Sequence, residues 1–271
     1  MMDAADRNKS LLAPLRAAMV DFSETGVRDA LATVMAPDAV VHMCHPFGDL
    51  AGSDWFGGCF QPLLSAMPDL ERRDWIVMGG PDGNGADWVG CGGTYVGTFV
   101  APFLGIPPTG HFAHIRFHEF YRFEGNQIVE VQAIWDIPDL MMQAGVWPLA
   151  PSLGREVMTP APSTQNGLIA GPRDAARSQS SCDLIVDMLA HMIRHPSQGG
   201  PEVMELDRFW HDRMTWYGPA GIGTCRGVSG FRNWHQIPFL NAMPDRGQHD
   251  GDVTFHFFGD GDYAAVTGWP N

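Results

Sequence analysis

The sequence predicts an α+β protein of two tandem modules, each a curved, mostly antiparallel sheet with helices packed on its concave side. Three observations carry this expectation. The segment S-D-W-F-G-G-C-F-Q-P-L-L-S-A-M-P-D at 53–69 returns as S-G-F-R-N-W-H-Q-I-P-F-L-N-A-M-P-D at 229–245. Upstream of each copy lies the same order of a helix-like stretch, a shorter second one and a strand. Residues 112–136 read as an amphipathic hairpin rich in β-formers.

The elements follow in order. Apolar periodicity predicts helices over Leu11 to Phe22 and Val27 to Met35, then a strand over Ala39 to Met43. In the second copy the counterparts are Leu184 to Ile193, Val203 to His211 and Arg213 to Tyr217. A strand begins at Trp88, within G-A-D-W-V-G-C-G-G at 85–93, and G-D-Y-A-A-V-T-G at 261–268 is its partner. The stretch between the copies, with T-P-A-P-S-T-Q-N-G and R-S-Q-S-S, has the composition of a linker. The expected organisation is therefore a first module at 9–147, a linker at 148–181, and a second module at 182–271 that lacks the final hairpin.

The hairpin assigns side chains to faces. Phe112 to Phe123 and Gln127 to Asp136 flank Glu124-Gly125-Asn126. A three-residue loop with Asn126 in the left-handed region pairs Phe123 with Gln127, Glu119 with Val131 and Phe117 with Ala133. One face then carries Ala113, Ile115, Phe117, Glu119, Tyr121, Val129, Val131, Ala133 and Trp135, and the other carries His114, Arg116, His118, Phe120, Arg122, Glu130, Gln132, Ile134 and Asp136. Glu119 is the odd residue, a carboxyl on an apolar inner face. Burial raises a carboxyl pKa, so such a group suits general acid/base work, unless it is a structural Glu bonded within the core.

Composition narrows the function. With 17 Lys and Arg against 31 Asp and Glu, the net charge is −14, which argues against nucleic acid or an anionic membrane as partner. The first ten residues hold no apolar signal core, no stretch approaches a membrane span, and the five cysteines are scattered, so a cytoplasmic protein is expected. No metal is expected. His42-Met43-Cys44-His45 clusters three candidate ligands but lacks a fourth, and a single pocket histidine fits better. No serine-nucleophile, Walker or dinucleotide motif is present.

L-G-I-P-P-T-G at 104–110, the hairpin with Y-R-F-E-G-N-Q-I-V-E, and W-D-I-P-D-L-M-M-Q-A-G after it occur in an order that resembles the SnoaL-like polyketide cyclases. These belong to the nuclear-transport-factor-2-like superfamily of cone-shaped α+β folds. The resemblance covers Leu11 to about Trp147, and the second copy in outline. It implies a buried cavity and ring closure by intramolecular aldol condensation, without metal or cofactor. Carried across the hairpin, the family's catalytic Asp position falls on Ala133, its Gln and His positions on Phe117 and Glu119, and its Asn position on His42. Asp136 matches a second, non-catalytic aspartate. The aldol constellation is thus not reproduced.

The combined expectation is a cofactor-free enzyme of cyclase or isomerase type acting on a small apolar or polyketide-like carbonyl compound. Glu119 and His42 would be catalytic, in a cavity walled by Trp88, Phe117, Tyr121, Ala133 and Trp135. The alternatives are a non-catalytic binder, favoured if Glu119 is locked by backbone donors, and an interaction module, favoured if the cone is filled. The outer sheet face is expected to pack against the second module or to form a homodimer.

Overall fold

The computed structural model describes residues 3–194, 201–243 and 254–269. Helix α1 (Ala4–Ala18) starts earlier than its periodicity suggests, because the Asp3 side chain caps it by accepting from the Ala5 amide. Ser23 caps α2 (Glu24–Val34) in the same way. Then come β1 (Met35–Met43), β2 (Gly48–Ala51), a π turn at Phe56–Phe60 leading into α3 (Gln61–Ala66), β3 (Glu71–Pro81), β4 (Asp87–Thr98), β5 (Phe112–Glu124), β6 (Gln127–Trp135) and α4 (Ile137–Gln143).

The six strands form one sheet in the order β2-β1-β6-β5-β4-β3, with β1 parallel to β6 and the other pairs antiparallel. Its inner face and α1, α2, the π turn and α3 share one continuous core. Leu12, Leu15 and Met19 from α1, Val27 and Leu31 from α2, and Phe60 and Leu63 all pack there. Helices on the concave side are as the sequence predicts.

The hairpin turn is a correction. It has two residues, Gly125 and Asn126, and the left-handed residue is Gly125 (φ +60°), where a missing Cβ removes the steric cost. Glu124 pairs with Gln127 and Phe123 with Ile128, but Arg122 pairs with Glu130, so Val129 bulges. A two-residue turn alone would exchange the faces of β6. The bulge exchanges them back, and the predicted faces survive while the partners shift by two residues. Glu119 faces Ala133, and Phe117 faces Trp135.

In the C-terminal half, α5 (Ala175–Met192) takes in residues read as linker, since Asp174 caps it at Arg177. Strands β7 (Thr215–Tyr217) and β8 (Thr224–Arg226) pair, as do β9 (Thr254–Asp260) and β10 (Tyr263–Trp269). Among the described residues these are two separate two-stranded sheets, not the single curved sheet expected. No strand corresponding to β5 or β6 joins them there. The repeated segment keeps its local geometry: a π turn at Arg232–Gln236 precedes a helix at Ile237–Ala242 with Pro in its first turn, as at 56–66. Pro244 and Asp245 of the repeat lie outside the described residues.

Candidate functional site

Glu119 is fully buried at the centre of the first sheet's inner face, and its carboxylate is saturated. Oε2 accepts from Arg72 Nη1 (2.5 Å) and the Tyr121 hydroxyl (2.6 Å). Oε1 accepts from the Tyr95 hydroxyl (2.9 Å) and Trp135 Nε1 (3.0 Å). A carboxylate has about four lone-pair sites, so none remains for a substrate proton.

Arg72 is the residue that sequence reasoning missed. A bulge at Trp75 in β3 keeps Arg72 and Asp74 on the inner face together with the apolar Val77. Arg72 Nε donates to Asp74 (3.0 Å), which also takes Arg16 Nε of α1 (2.8 Å). Arg16, Asp74, Arg72 and Glu119 thus alternate in charge from the surface to the core. The guanidinium lies 4.1 Å from the Phe117 ring centre, and Phe117 needs Gly93 opposite it, where a Cβ would stand 2.4 Å from the ring. The Arg72 pKa is well above its ordinary value. Burial opposes this, but the Glu119 carboxylate beside it more than compensates, aided by Tyr95, Tyr121 and Asp74. Burial pushes the Tyr95 and Tyr121 hydroxyls up, which keeps both protonated as donors.

Two donors in this core have no partner among the described residues, Arg72 Nη2 and Trp55 Nε1. Buried donors of this kind call for an acceptor. Around them the rings pack closely: Tyr95 lies 4.6 Å from Phe117 and 5.3 Å from Trp135, and Phe60 lies 5.3 Å from Trp135. The half-buried Phe47, in the turn after β1, stands edge-on to Trp135 at 5.7 Å.

The structure brings Glu119, Phe117, Tyr121, Ala133 and Trp135 together on the inner face. It separates His42 and Trp88 from them. Val41 and Met43 point into the core, so His42 points out, where its Nδ1 meets Asp49 (2.8 Å) and its ring stacks on Trp269. Trp88 pairs with Arg122 on the outer face and packs with Met78 and Phe258. The expected Glu119–His42 pair is therefore not formed, because the sheet itself stands between them. Nor is the outer face left free for a symmetric partner along its whole length: Arg116 donates to the carbonyls of Tyr217 and Gly218, and Gln132 accepts from Thr267. An open groove of about 920 Å³ runs between α1 and residues 168–173, and Arg16 links it to Asp74. Among the described residues no group of three or more His, Cys, Asp and Glu is placed to hold a metal, and no helix is long and apolar enough to cross a membrane.

A cone of helices over a curved sheet, with a polar centre on β5, defines the class. Residues 13–144 match the family described as SnoaL-like polyketide cyclase, and this part of the chain is similar to that family. Similar solved structures include AclR, a putative hydroxylase from Streptomyces galilaeus, at 22% identity over 55% of this chain and 87% of that one (TM-score 0.45). IdmH, a putative polyketide cyclase from Streptomyces antibioticus, is 24% identical over 51% of this chain and 99% of its own (TM-score 0.43). A putative SnoaL-like polyketide cyclase from Jannaschia sp. CCS1 is 19% identical over 55% and 98% (TM-score 0.45). No curated protein matches the chain.

Proposed function

We propose that the first module binds a small apolar carbonyl compound of polyketide-like character, and that Arg72, not a Glu119–His42 pair, makes the polar contact. The observation that carries this is Arg72 Nη2, fully buried beside the Phe117 ring and without a partner among the described residues. Glu119 and the tyrosines hold the guanidinium in place, and the carbonyl oxygen of a ligand supplies the missing acceptor. A hydrogen bond from Arg72 would polarise that carbonyl; with the Glu119 carboxylate saturated, the centre supplies a donor to the oxygen and no base. Glu119 then acts as a positioning residue. The chemistry needs no metal or cofactor, and the five unpaired cysteines suit a reducing compartment such as the cytoplasm.

Titration with 1-tetralone, followed by tryptophan fluorescence, tests this reading. It predicts a saturable change from Trp55 and Trp135, weakened several-fold in Trp55→Phe, which removes the second unpartnered N–H. A flat response would instead support a second reading, a purely packed interaction module, which the close ring packing favours.

The C-terminal half is read as a second copy of the module. The support is the matching geometry at 56–66 and 232–242 and the shared hairpin order.

A further inference from the structure

Helix α1 sends Leu12 and Leu15 into the core, while Asp3, Asp6, Ser10, Ala13 and Arg16 line the open groove. These positions recur at steps of three and four residues, so they form one stripe along the helix. Residues 168–173 make the opposite wall, which is anchored at both ends. The Val77 amide of β3 donates to the Gly167 carbonyl and the Ile169 amide to that of Val77, while the Arg173 amide donates to Asp6 (3.1 Å). Gly171 turns the chain between these anchors at φ +105°, a conformation that favours glycine. Ser10 and Ala13 are small, so the helix leaves room, and the groove of about 920 Å³ has the volume of a small-molecule site. Asp6 and Arg16 stand about 15 Å apart along its length.

The two ends differ in charge. Near Asp6, the carboxylates of Asp3, Asp6 and Asp260 outnumber Lys9 and Arg173, and Lys9 is committed to Asp260 (2.7 Å) and Asp6 (3.2 Å). At the other end Arg16 donates through Nε to Asp74 (2.8 Å), and neither of its Nη nitrogens has a partner among the described residues. Asp74 also serves Arg72, so it offsets only part of the Arg16 charge. The Arg16 side chain is 21% exposed, and its tether fixes the direction of the guanidinium fork. Apolar surface adjoins it: Leu168, paired with Val77, is 53% exposed, and Ala13 is exposed on the helix wall.

We propose that this groove binds a monoanionic carboxylate carrying an unbranched apolar chain, as in a medium-chain fatty acid. The carboxylate takes two parallel hydrogen bonds from the Arg16 Nη nitrogens, and the chain lies over Ala13 and Leu168 toward Ser10. No second cation lines the Arg16 end, which suits one negative charge, and the acidic far end suits an uncharged tail. The site lies outside the cone, goes beyond the carbonyl reading and does not rest on it.

The test titrates the full chain, by calorimetry at neutral pH, with octanoate and with octan-1-ol, the same chain without the charge. The expected result is one-to-one binding of octanoate with a Kd below about 1 mM, and at least about tenfold weaker binding of the alcohol. Arg16→Gln should bring octanoate to the level of the alcohol. Ala13→Phe, on the exposed face of α1, fills the groove and should weaken octanoate at least about tenfold. If Arg16→Gln lowers the melting temperature, Leu168→Asp serves in its place and should weaken octanoate more than the alcohol. Equal affinities of the two ligands for the parent protein overturn the proposal, as does the absence of saturable octanoate binding up to about 1 mM. Octanoate binding that survives Ala13→Phe unchanged belongs to another site, such as the one beside Arg72, and overturns it too. A tetralone titration that fails leaves these readouts untouched, so the two proposals fail separately.

Discussion

Glu119→Gln separates a positioning carboxylate from an acid/base one. The change keeps the shape and removes the charge. In the structure it leaves Arg72, buried to 0% side-chain exposure, facing a neutral amide, with one amide N–H₂ directed at donors that need an acceptor. Breaking a buried ion pair from one side costs about 3–5 kcal/mol. Asp74 still holds Arg72 Nε, so the lower end, about 3 kcal/mol, is expected. Arg72→Met strands the Glu119 carboxylate with three neutral donors and should cost a similar amount. The double variant removes both charges and should cost far less than the two losses added together. Urea unfolding at neutral pH, read by tryptophan fluorescence, provides the four free energies of the cycle. Additive losses, or a Glu119→Gln change within about 0.5 kcal/mol of the parent, would refute the argument and return Glu119 to the role of an uncommitted acid or base.

Further outcomes follow from the same contacts. Burial pushes the Cys59 and Cys91 thiols up to about 12, so at pH 8 neither should react with iodoacetamide in the native protein, while all five cysteines should react after denaturation; mass spectrometry of the labelled peptides checks this. Asp82 ties the β3–β4 turn to His256 of β9. Burial alone would raise its pKa, but hydrogen bonds from His256, the Ala86 and Asn84 amides and Trp88 hold it below the usual carboxylate value. Its contribution is therefore full above the unfolded pKa of about 3.9 and is lost as pH falls through the lower folded value. Hydrogen exchange should show β9–β10 loosening in acid, with Asp82→Asn already loosened at pH 7. Gly93→Ala should cost more than about 2 kcal/mol, since the new methyl meets both the Arg73 carbonyl and Phe117 at 2.4 Å; thermal unfolding measures it.

Much of the first module was legible because its strands alternate cleanly. Phe117, Glu119, Tyr121 and Trp135 lie on the inner face as expected, although the turn has two residues and not three. Parity decides a face, and the Val129 bulge restored the parity that the two-residue turn had reversed. His42 shows the opposite case. Val41 and Met43 on either side are apolar and point inward, which was already a signal that His42 points out, but the family's Asn position overrode it. Arg72 was hidden in E-R-R-D, which reads as a solvated charge run. Its inward spacing with Leu70 and Asp74 was visible, but the bulge at Trp75 breaks the alternation before Val77 confirms it.

Arg72 Nη2, buried and without a partner among the described residues, is proposed to bond a ligand oxygen. Calorimetric titration of the unmodified protein with 1-tetralone and with tetralin, the hydrocarbon of nearly the same shape, tests it without any substitution. A hydrogen bond to a charged donor is worth about 1.5–3 kcal/mol, so the ketone should bind at least about tenfold more tightly. Equal affinities for the two compounds, or no binding of either, would contradict the account.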